Sequence, residues 1–342
     1  MTRRVLLSDQ TVQSKKDTTD SAEQIEFFST GAYLLDLMLG GGWAQGRVIN
    51  LVGDRSSGKT LIAVEAVANI LNITDKAYIR YREVESAWNA QYARTIGMPV
   101  GIEPPSDEID TVEQLFSDLD TFLNTLDGKK PALYVVDSLD ALSDSTEMES
   151  DFDKGSYGAA KAKLLSKLFR QRIRVMERKN CTLLVISQIR DKIGVMFGET
   201  KTRSGGRALD FYASQIVWLA EVKKIERTVL GEKRVIGSLV KARCRKNKVG
   251  MPHREVEIAV LYNYGVDDEE SMIAYCEKQK ILRELPETWP DEGSKLRAQL
   301  ALMRKQQNRS GIRELQNDLR RICYDRWMAI EERLAPTMSK YE

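Results

Sequence analysis

Residues 53–60 have the types and spacing of a phosphate-binding loop, G-x-x-x-x-G-K-T. In such a loop backbone N–H groups wrap the phosphates, the lysine reaches the terminal ones and the threonine hydroxyl holds Mg2+. An apolar run, 48–52, precedes the loop, and an aliphatic helical pattern, 61–71, follows it with its N-terminus towards the phosphates. We therefore predict a nucleotide site; the alternative is a glycine turn without a ligand. The residues expected to contact the nucleotide are Gly53, Asp54, Arg55, Ser56, Ser57, Gly58, Lys59, Thr60 and Leu61.

Two carboxylates, Glu83 and Glu85, end the alternating segment 77–85, which predicts a strand. Because ligands of an open α/β sheet bind beyond the carboxyl ends of its strands, both carboxylates would lie near the phosphates. A carboxylate there can orient or deprotonate an attacking water molecule. The alternative is that both are solvated charges at a strand end.

Two further strand ends carry polar side chains. Asp137 follows the apolar run 133–136 in a Walker B pattern, whose acid holds Mg2+ through its water shell. Gln188 follows a strand predicted over 182–187, and an amide there can sense whether a terminal phosphate is present. Apolar runs that end in aspartate are common, so the Asp137 prediction depends on the phosphate loop.

The segment 189–207 is unusual for a core region. It is rich in glycine, has five cations against two acids and contains a Val-Met-Phe triplet. Cations meet phosphates, and apolar side chains can wedge between bases or stack on them. The segment therefore predicts a nucleic-acid-binding loop; the alternative is a mobile flap with a hydrophobic anchor.

Composition limits the possibilities without naming a partner. The 52 basic and 50 acidic residues nearly cancel, so any basic surface must be local. Four widely spaced cysteines indicate reduced thiols rather than a zinc site or a disulfide framework. No apolar run approaches the roughly 20 residues that span a bilayer, so we expect a cytoplasmic protein without a membrane partner.

The two ends of the chain differ from the middle. Residues 1–25 predict an arm, which is either a frayed tail or a segment that docks on a neighbouring subunit. Residues 29–31 predict helix-capping chemistry ahead of a short helix over 34–39. Residues 295–333 predict a helical region, with nine cations against three acids over 295–326. That region is either a docking helix or a basic module that gathers duplex DNA.

The segments 188–198 and 205–214 resemble the second DNA-binding loop of bacterial RecA recombinases almost verbatim. Five shorter segments occur in that family's order and at about its spacing: 29–31, 56–60, 92–94, 135–138 and 246–248. The resemblance covers roughly residues 26–275. It implies a RecA-like α/β ATPase core with a central, mostly parallel twisted sheet over 26–270, after an arm over 1–25. A small helical domain would occupy 271–342, and the divergent ends suggest a phage or mobile-element source.

The resemblance also implies roles for individual residues. Glu85 would activate water, Tyr92 and Tyr262 would lie beside adenine, and Lys246 with Lys248 would reach the neighbouring subunit's ATP. The implied catalytic residues are Lys59, Thr60, Glu85, Asp137, Gln188, Lys246 and Lys248, with Thr60 and Asp137 at the Mg2+. The implied DNA-binding residues are Tyr157, Arg190, Lys192, Gly194, Val195, Met196, Phe197, Gly198, Arg203, Ser204, Gly205, Gly206 and Arg207. Tyr157 is assigned from the position of the family's first DNA loop.

The implied function is ATP-dependent DNA strand exchange. The chain would form a helical homo-oligomeric filament on single-stranded DNA and pair that strand with homologous duplex. The implied location is the nucleoid, or the host cytoplasm if the protein is encoded by a phage. Three positions depart from the family pattern: Arg55 replaces an acid, Glu83 an aspartate and Arg207 an uncharged residue. They leave turnover and nucleotide preference open. The alternatives are a ring-shaped DNA motor ATPase and a non-catalytic regulator of host filaments.

Overall fold

The computed structural model describes residues 25–74, 76–102, 104–105, 107–144, 158–191, 201–203 and 206–336. In chain order, the first elements are β1 (Phe27–Phe28), α1 (Tyr33–Leu39), β2 (Trp43–Ala44), β3 (Val48–Gly53), α2 (Lys59–Ile73), β4 (Tyr78–Glu83), α3 (Ala90–Thr95), α4 (Val112–Thr125) and β5 (Ala132–Asp137). The middle elements are α5 (Gly158–Arg178), β6 (Cys181–Asp191), β7 (Lys201–Arg203), α6 (Gly206–Tyr212), β8 (Gln215–Val229) and β9 (Glu232–Asn247). The last are β10 (Glu255–Leu261), β11 (Gly265–Asp267), α7 (Asp268–Gln279), α8 (Gly293–Lys305) and α9 (Arg309–Leu334).

One large sheet organises the molecule. Its strands lie in the order β11, β10, β9, β8, β3, β6, β5, β4, and β7 pairs with β6 outside this path. The five strands from β8 to β4 are parallel, and the pairs from β8 to β11 are antiparallel. Gly53 lies opposite Gln188, and Glu83 lies opposite Asp137, so the ends of four parallel strands meet at one edge. The predicted α/β fold is confirmed.

The alternation of apolar side chains along β3 explains why helices cover both faces of the sheet. Ile49 and Leu51 pack in a cluster shared with α1 and α2, whereas Val48 and Val52 pack in one shared with α4 and α5. Every residue of β3 is buried, as expected of a parallel strand between two helical layers. The phosphate loop therefore starts from the end of a fully buried strand.

The turn before α1 differs from the sequence prediction. Ala32 precedes the helix and makes no side-chain capping hydrogen bond. The Ser29 hydroxyl and the Thr30 N–H instead donate to the Asp36 carboxylate, at 2.6 and 2.7 Å. The capping prediction for 29–31 is wrong because a carboxylate one turn inside the helix binds this turn. Gly40 ends α1 in the left-handed region with φ 81°, as glycine commonly does at the end of a helix.

Asp36 is expected to make stability fall as the pH rises. Burial raises the pKa of this carboxyl from 3.8 to about 7, although its hydrogen bonds from Ser29 and Thr30 oppose the shift. Because the folded-state pKa is raised, the contribution of the protonated group is complete below about pH 4 and is lost as the pH rises through about 7. Burial likewise raises the pKa of Glu65 to about 7. Asp36→Asn should therefore remove part of this pH dependence, by up to about 4 kcal/mol.

Chemical denaturation at a series of pH values from about 4 to 8 measures the slope of the free energy of unfolding against pH. Glu65→Gln should remove a separate part of the pH dependence, because that carboxyl is a different buried group, which accepts the Val266 N–H at 3.1 Å. Glu26→Gln, which changes an exposed carboxylate, is the matched control. An Asp36→Asn chain with the wild-type slope would contradict the assignment.

The C-terminal helices pack on the core. The buried face of α9 consists of Leu315, Leu319, Ile322 and Cys323, which join the same cluster as α1. The helical pattern predicted over 295–333 is divided by residues 306–308 into α8 and α9. Among the described helices, none has the length and apolarity needed to cross a membrane.

Many arginines of these helices are held in ion pairs. Arg304 donates to Asp267 and Glu269, Arg320 donates to Asp268, and these carboxylates all lie at the start of α7 or directly before it. Such pairing favours the docking-helix interpretation of the basic C-terminal pattern. The domain boundary at 270/271 stays a prediction.

Candidate functional site

The loop after β3 has the geometry of a phosphate cradle. Ser56 and Gly58 adopt left-handed φ values of 59° and 86°, which turn the backbone N–H groups of the loop. A Cβ at Gly53 would lie 2.3 Å from the Ser57 hydroxyl and 2.9 Å from the Leu219 carbonyl, so only glycine fits. The Lys59 ammonium donates to the Asp54 carbonyl at 2.7 Å across the loop. The lysine therefore closes the same loop that the sequence assigns to phosphate.

Carboxylates surround Lys59. Burial lowers the pKa of its ammonium, while Asp137, Glu85, Asp140 and Asp54 oppose the shift, in that order. The structure thus brings the predicted lysine and the two predicted acids from three different strand ends into one electrostatic cluster. A strongly anionic ligand would compete with these carboxylates for the ammonium.

Asp137 and Tyr81 form a buried hydrogen-bonded pair, and the exposed Thr60 lies at the start of α2. Asp137 is 5% exposed, and its carboxylate accepts the Tyr81 hydroxyl at 2.8 Å. Burial raises the pKa of Asp137, and hydrogen bonds from Tyr81 and Thr60 oppose the shift. Mg2+ binds oxygen ligands and uses one or two protein groups together with substrate phosphates. The Thr60 hydroxyl and the Asp137 carboxylate supply such oxygens, so these residues fit the metal.

Glu85 contacts two groups that belong to neighbouring strands. The Ser138 hydroxyl and the Gln188 side-chain amide both donate to the same carboxylate oxygen, the latter at 2.8 Å. The Gln188 N–H donates in turn to the Asp140 carboxylate at 2.6 Å. The structure therefore joins the predicted water-activating residue to the predicted phosphate sensor.

Glu83 has a different role from Glu85. Its carboxylate accepts the backbone N–H groups of Glu85 and Ala87, at 2.9 and 3.2 Å. These bonds hold the turn after β4 and thereby place Glu85. Glu83 is a fixed acceptor in this turn, which neither sequence alternative specified.

The two predicted adenine-side tyrosines lie on different elements and interact electrostatically. Tyr92 is on α3, whose first turn is capped by the Asn89 side chain, and Tyr262 follows β10 and is 47% exposed. Burial raises the pKa of Tyr92, and the nearby Tyr262 phenol raises it further. Each of these residues, one half-buried and one exposed, has an aromatic face that can stack on a flat base.

Lys246 and Lys248 lie away from Lys59 and its carboxylates. Their ammonium groups donate to the Phe211 carbonyl at the end of α6, at 3.0 and 3.1 Å. Burial and, to a smaller extent, the neighbouring Lys248 lower the pKa of Lys246 to about 8. The Phe211 ring itself is 69% exposed. The role of Lys246 and Lys248 at a neighbouring subunit's ATP therefore stays a prediction.

Part of the predicted DNA surface is described. Arg190 lies on β6 opposite Thr202 of β7, which makes a short antiparallel pair at the start of the predicted loop. Arg203 is 7% exposed and donates to Asp210 at 2.5 Å, so its guanidinium is directed inward. Gly206 and Arg207 begin α6. The other assigned positions lie outside the described residues: Tyr157, Lys192, Gly194, Val195, Met196, Phe197, Gly198, Ser204 and Gly205.

Three residues at the site were not assigned from sequence: Tyr81, Ser138 and Asp140. Tyr81 is one of several aromatic residues in an alternating strand, and only the register of β4 with β5 shows that it reaches Asp137. Ser138 and Asp140 lie one and three residues after the end of the Walker B strand. This position beside Asp137 is the feature of the sequence that could have identified them. A local pattern does not reveal that one contacts Glu85 and the other the Gln188 backbone.

Comparison with known proteins agrees with this geometry. A family model described as RecA N-terminal domain matches residues 11–267. Protein RecA of Treponema pallidum (strain Nichols) is 34% identical over 267 residues, which is 77% of this chain and 62% of that protein. Protein RecA of Mycoplasma mycoides is 34% identical over 250 residues, 71% of this chain and 68% of the relative.

Protein RecA of Salinispora arenicola (strain CNS-205) is 35% identical over 270 residues, which cover 78% of this chain and 74% of that protein. The chain thus spans 62% of the length of the Treponema pallidum relative. The family match covers the phosphate loop, the carboxylate cluster and Gln188. The chain therefore belongs to the RecA-type recombinase family.

Proposed function

We propose that this chain is an ATP-dependent recombinase that assembles on single-stranded DNA as a helical filament and pairs the strand with homologous duplex. The observation that carries this proposal is the hydrogen bond between Glu85 and Gln188, at 2.8 Å. It joins the group proposed to activate water to the root of the proposed DNA loop. Family membership supports the same activity.

On the nucleotide side, the loop N–H groups and Lys59 would bind the phosphates of ATP, and Glu85 would orient and deprotonate water. Bound Mg2+ would neutralise charge on the phosphate oxygens, and Thr60 and Asp137 would hold it. Tyr92 and Tyr262 would enclose the adenine. The Lys59 ammonium would exchange the Asp54 carbonyl for phosphate oxygens, since charge-assisted hydrogen bonds are the stronger ones.

On the DNA side, Gln188 would couple the two ligands. Its amide contacts Glu85, and β6 continues from it through Asp191 into the proposed DNA loop. A phosphate that attracted the Gln188 amide would shift the position of the start of this loop. DNA bound to the loop would likewise shift the position of the amide. By linkage, ATP and single-stranded DNA would then strengthen each other's binding.

A neighbouring subunit would complete the nucleotide site. Lys246 and Lys248 are held beside the exposed Phe211 ring rather than near this chain's own Lys59. On this proposal the two lysines face the next subunit's ATP and neutralise transition-state charge. Hydrolysis would then weaken the interface and allow the filament to turn over.

Phe197→Ala is expected to weaken binding to single-stranded DNA by about 1 to 3 kcal/mol, because a stacked or wedged aromatic ring contributes this much per base. Fluorescence anisotropy with a labelled oligonucleotide and a non-hydrolysable ATP analogue measures the affinity. Leu302→Ala removes another apolar side chain, which is 52% exposed on α8, and serves as the control. Wild-type affinity in the Phe197 variant would exclude the wedge assignment.

A strand-pairing assay tests the proposed function itself. The chain, ATP, Mg2+ and a labelled single strand are mixed with either homologous or unrelated duplex, and joint molecules are separated by electrophoresis. The proposal expects joint molecules with the homologous duplex alone. DNA-stimulated hydrolysis without any joint molecule would instead favour the motor alternative.

A further inference from the structure

We infer that the Tyr81 hydroxyl is a positioning group that fixes the Asp137 carboxylate for a divalent cation bound with the nucleotide. This inference rests on the proposed function, because it concerns the cation that ATP would bring. It adds a group that neither touches the nucleotide nor belongs to the phosphate-loop or Walker B patterns. The reasoning begins with the surroundings of the hydroxyl.

Tyr81 is a rigid part of the sheet. It is 1% exposed, lies on β4 and packs its ring against Trp88 at a centroid distance of 5.0 Å. A buried tyrosine hydroxyl must find a hydrogen-bond partner. This one donates to Asp137 Oδ2 at 2.8 Å. Because the ring has little freedom, the hydroxyl restricts rotation of the carboxylate.

A second hydroxyl acts on the same carboxylate from another element. Thr60, at the start of α2, opposes the rise that burial causes in the pKa of Asp137. A hydroxyl can donate its hydrogen to a carboxylate and still offer an oxygen lone pair to a cation. Thr60 therefore remains able to act as a ligand, while Tyr81 supports Asp137 from the side of the sheet.

The tyrosine side chain is neutral, so it can orient Asp137 without changing the charge of the site. An arginine or lysine at this position would also orient Asp137, but its charge would cancel the negative charge that attracts a cation. A phenol supplies orientation and leaves the charge of the carboxylate in place. Groups that orient the ligands of a metal in this way commonly affect metal affinity by about 10- to 100-fold.

Tyr134 provides a matched comparison within the same sheet. It is fully buried on β5, and its hydroxyl donates to the Asp118 carboxylate at 2.5 Å. Tyr134 belongs to the other hydrophobic cluster, so it lies on the opposite face from Tyr81. Asp118 is paired with Arg80 and Arg82 and takes no part in the phosphate site. Tyr134→Phe thus removes an equivalent buried hydroxyl without changing Asp137.

The test measures cation binding directly. Free Mn2+ is followed by electron paramagnetic resonance in the presence of excess ADP for wild type, Tyr81→Phe and Tyr134→Phe. We expect Tyr81→Phe to raise the half-saturating Mn2+ concentration about 10-fold. Tyr134→Phe should match the wild type. Affinity for ADP in EDTA should be the same in all three chains, because Tyr81 does not touch the nucleotide.

A double-mutant cycle separates positioning from a general structural role. In an Asp137→Asn background, Tyr81→Phe should cause no further change in Mn2+ affinity, because its effect passes through the carboxylate. The loss of one buried hydrogen bond is small beside the stability of a domain of this size, so both variants should remain folded. Thermal unfolding without nucleotide verifies this.

The outcomes separate the inference from the proposed function. Wild-type Mn2+ affinity in Tyr81→Phe would overturn the positioning role while leaving the proposed function intact. Equal losses in Tyr81→Phe and Tyr134→Phe, or additive losses in the cycle, would also overturn it. A wild-type chain that binds neither ADP nor Mn2+ would overturn the proposed function and this inference together.

Discussion

Lys59→Ala should abolish measurable ATP hydrolysis, with a loss of at least about 100-fold, because the ammonium would stabilise charge that develops on the phosphates. Two features of the structure support this expectation. Lys59 already lies across the loop on the Asp54 carbonyl, and four carboxylates surround it. Without the ammonium, these carboxylates would repel the phosphates. Both nucleotide affinity and turnover should therefore fall.

Phosphate release under saturating single-stranded DNA measures the turnover, and binding of a fluorescent ATP analogue measures the affinity. Lys179→Ala is the matched control, because Lys179 likewise donates to a backbone carbonyl, that of Leu126, at 2.6 Å. The control should hydrolyse ATP at the wild-type rate. A Lys59→Ala chain that retains turnover would contradict the assignment of the loop.

Glu85→Gln should separate hydrolysis from DNA binding. A glutamine keeps an oxygen that can accept the Gln188 amide and the Ser138 hydroxyl, but it cannot take a proton from water. Removal of a general base costs about 100- to 10,000-fold in rate. We therefore expect turnover to fall by this factor while ATP-dependent affinity for single-stranded DNA stays near that of the wild type.

Single-turnover hydrolysis and oligonucleotide anisotropy, measured on the same preparation, test both halves of this prediction. Glu83→Gln is the control, since the Glu83 oxygen accepts two backbone N–H groups and a glutamine oxygen can do the same. Its turnover should stay within a few-fold of the wild type. If Glu83→Gln were the more damaged variant, the water-activating role would belong to the other carboxylate.

Strongly patterned segments could be predicted from the sequence. The G-x-x-x-x-G-K-T spacing and the flanking apolar runs predicted β3 and α2, and both are confirmed. The strand predicted over 182–187 agrees with β6. In these cases the local pattern and the buried environment favour the same structure, so little depended on distant contacts.

Other features depend on contacts that a local pattern does not contain. The turn at 29–31 has capping residues, but Asp36 lies within reach and accepts their hydrogen bonds. Tyr81 reaches Asp137 only because β4 and β5 pair in one particular register. The basic pattern of the C-terminal helices could not reveal that carboxylates at the start of α7 neutralise its arginines.

The measurement that tests the central claim most directly is ATP hydrolysis with and without single-stranded DNA, on samples that are also imaged by negative-stain microscopy. The coupling proposed through Glu85 and Gln188 predicts that DNA stimulates turnover and that the same samples contain helical filaments. Turnover that does not respond to DNA, together with rings or no assembly, would contradict it. That result would favour the motor or regulator alternative.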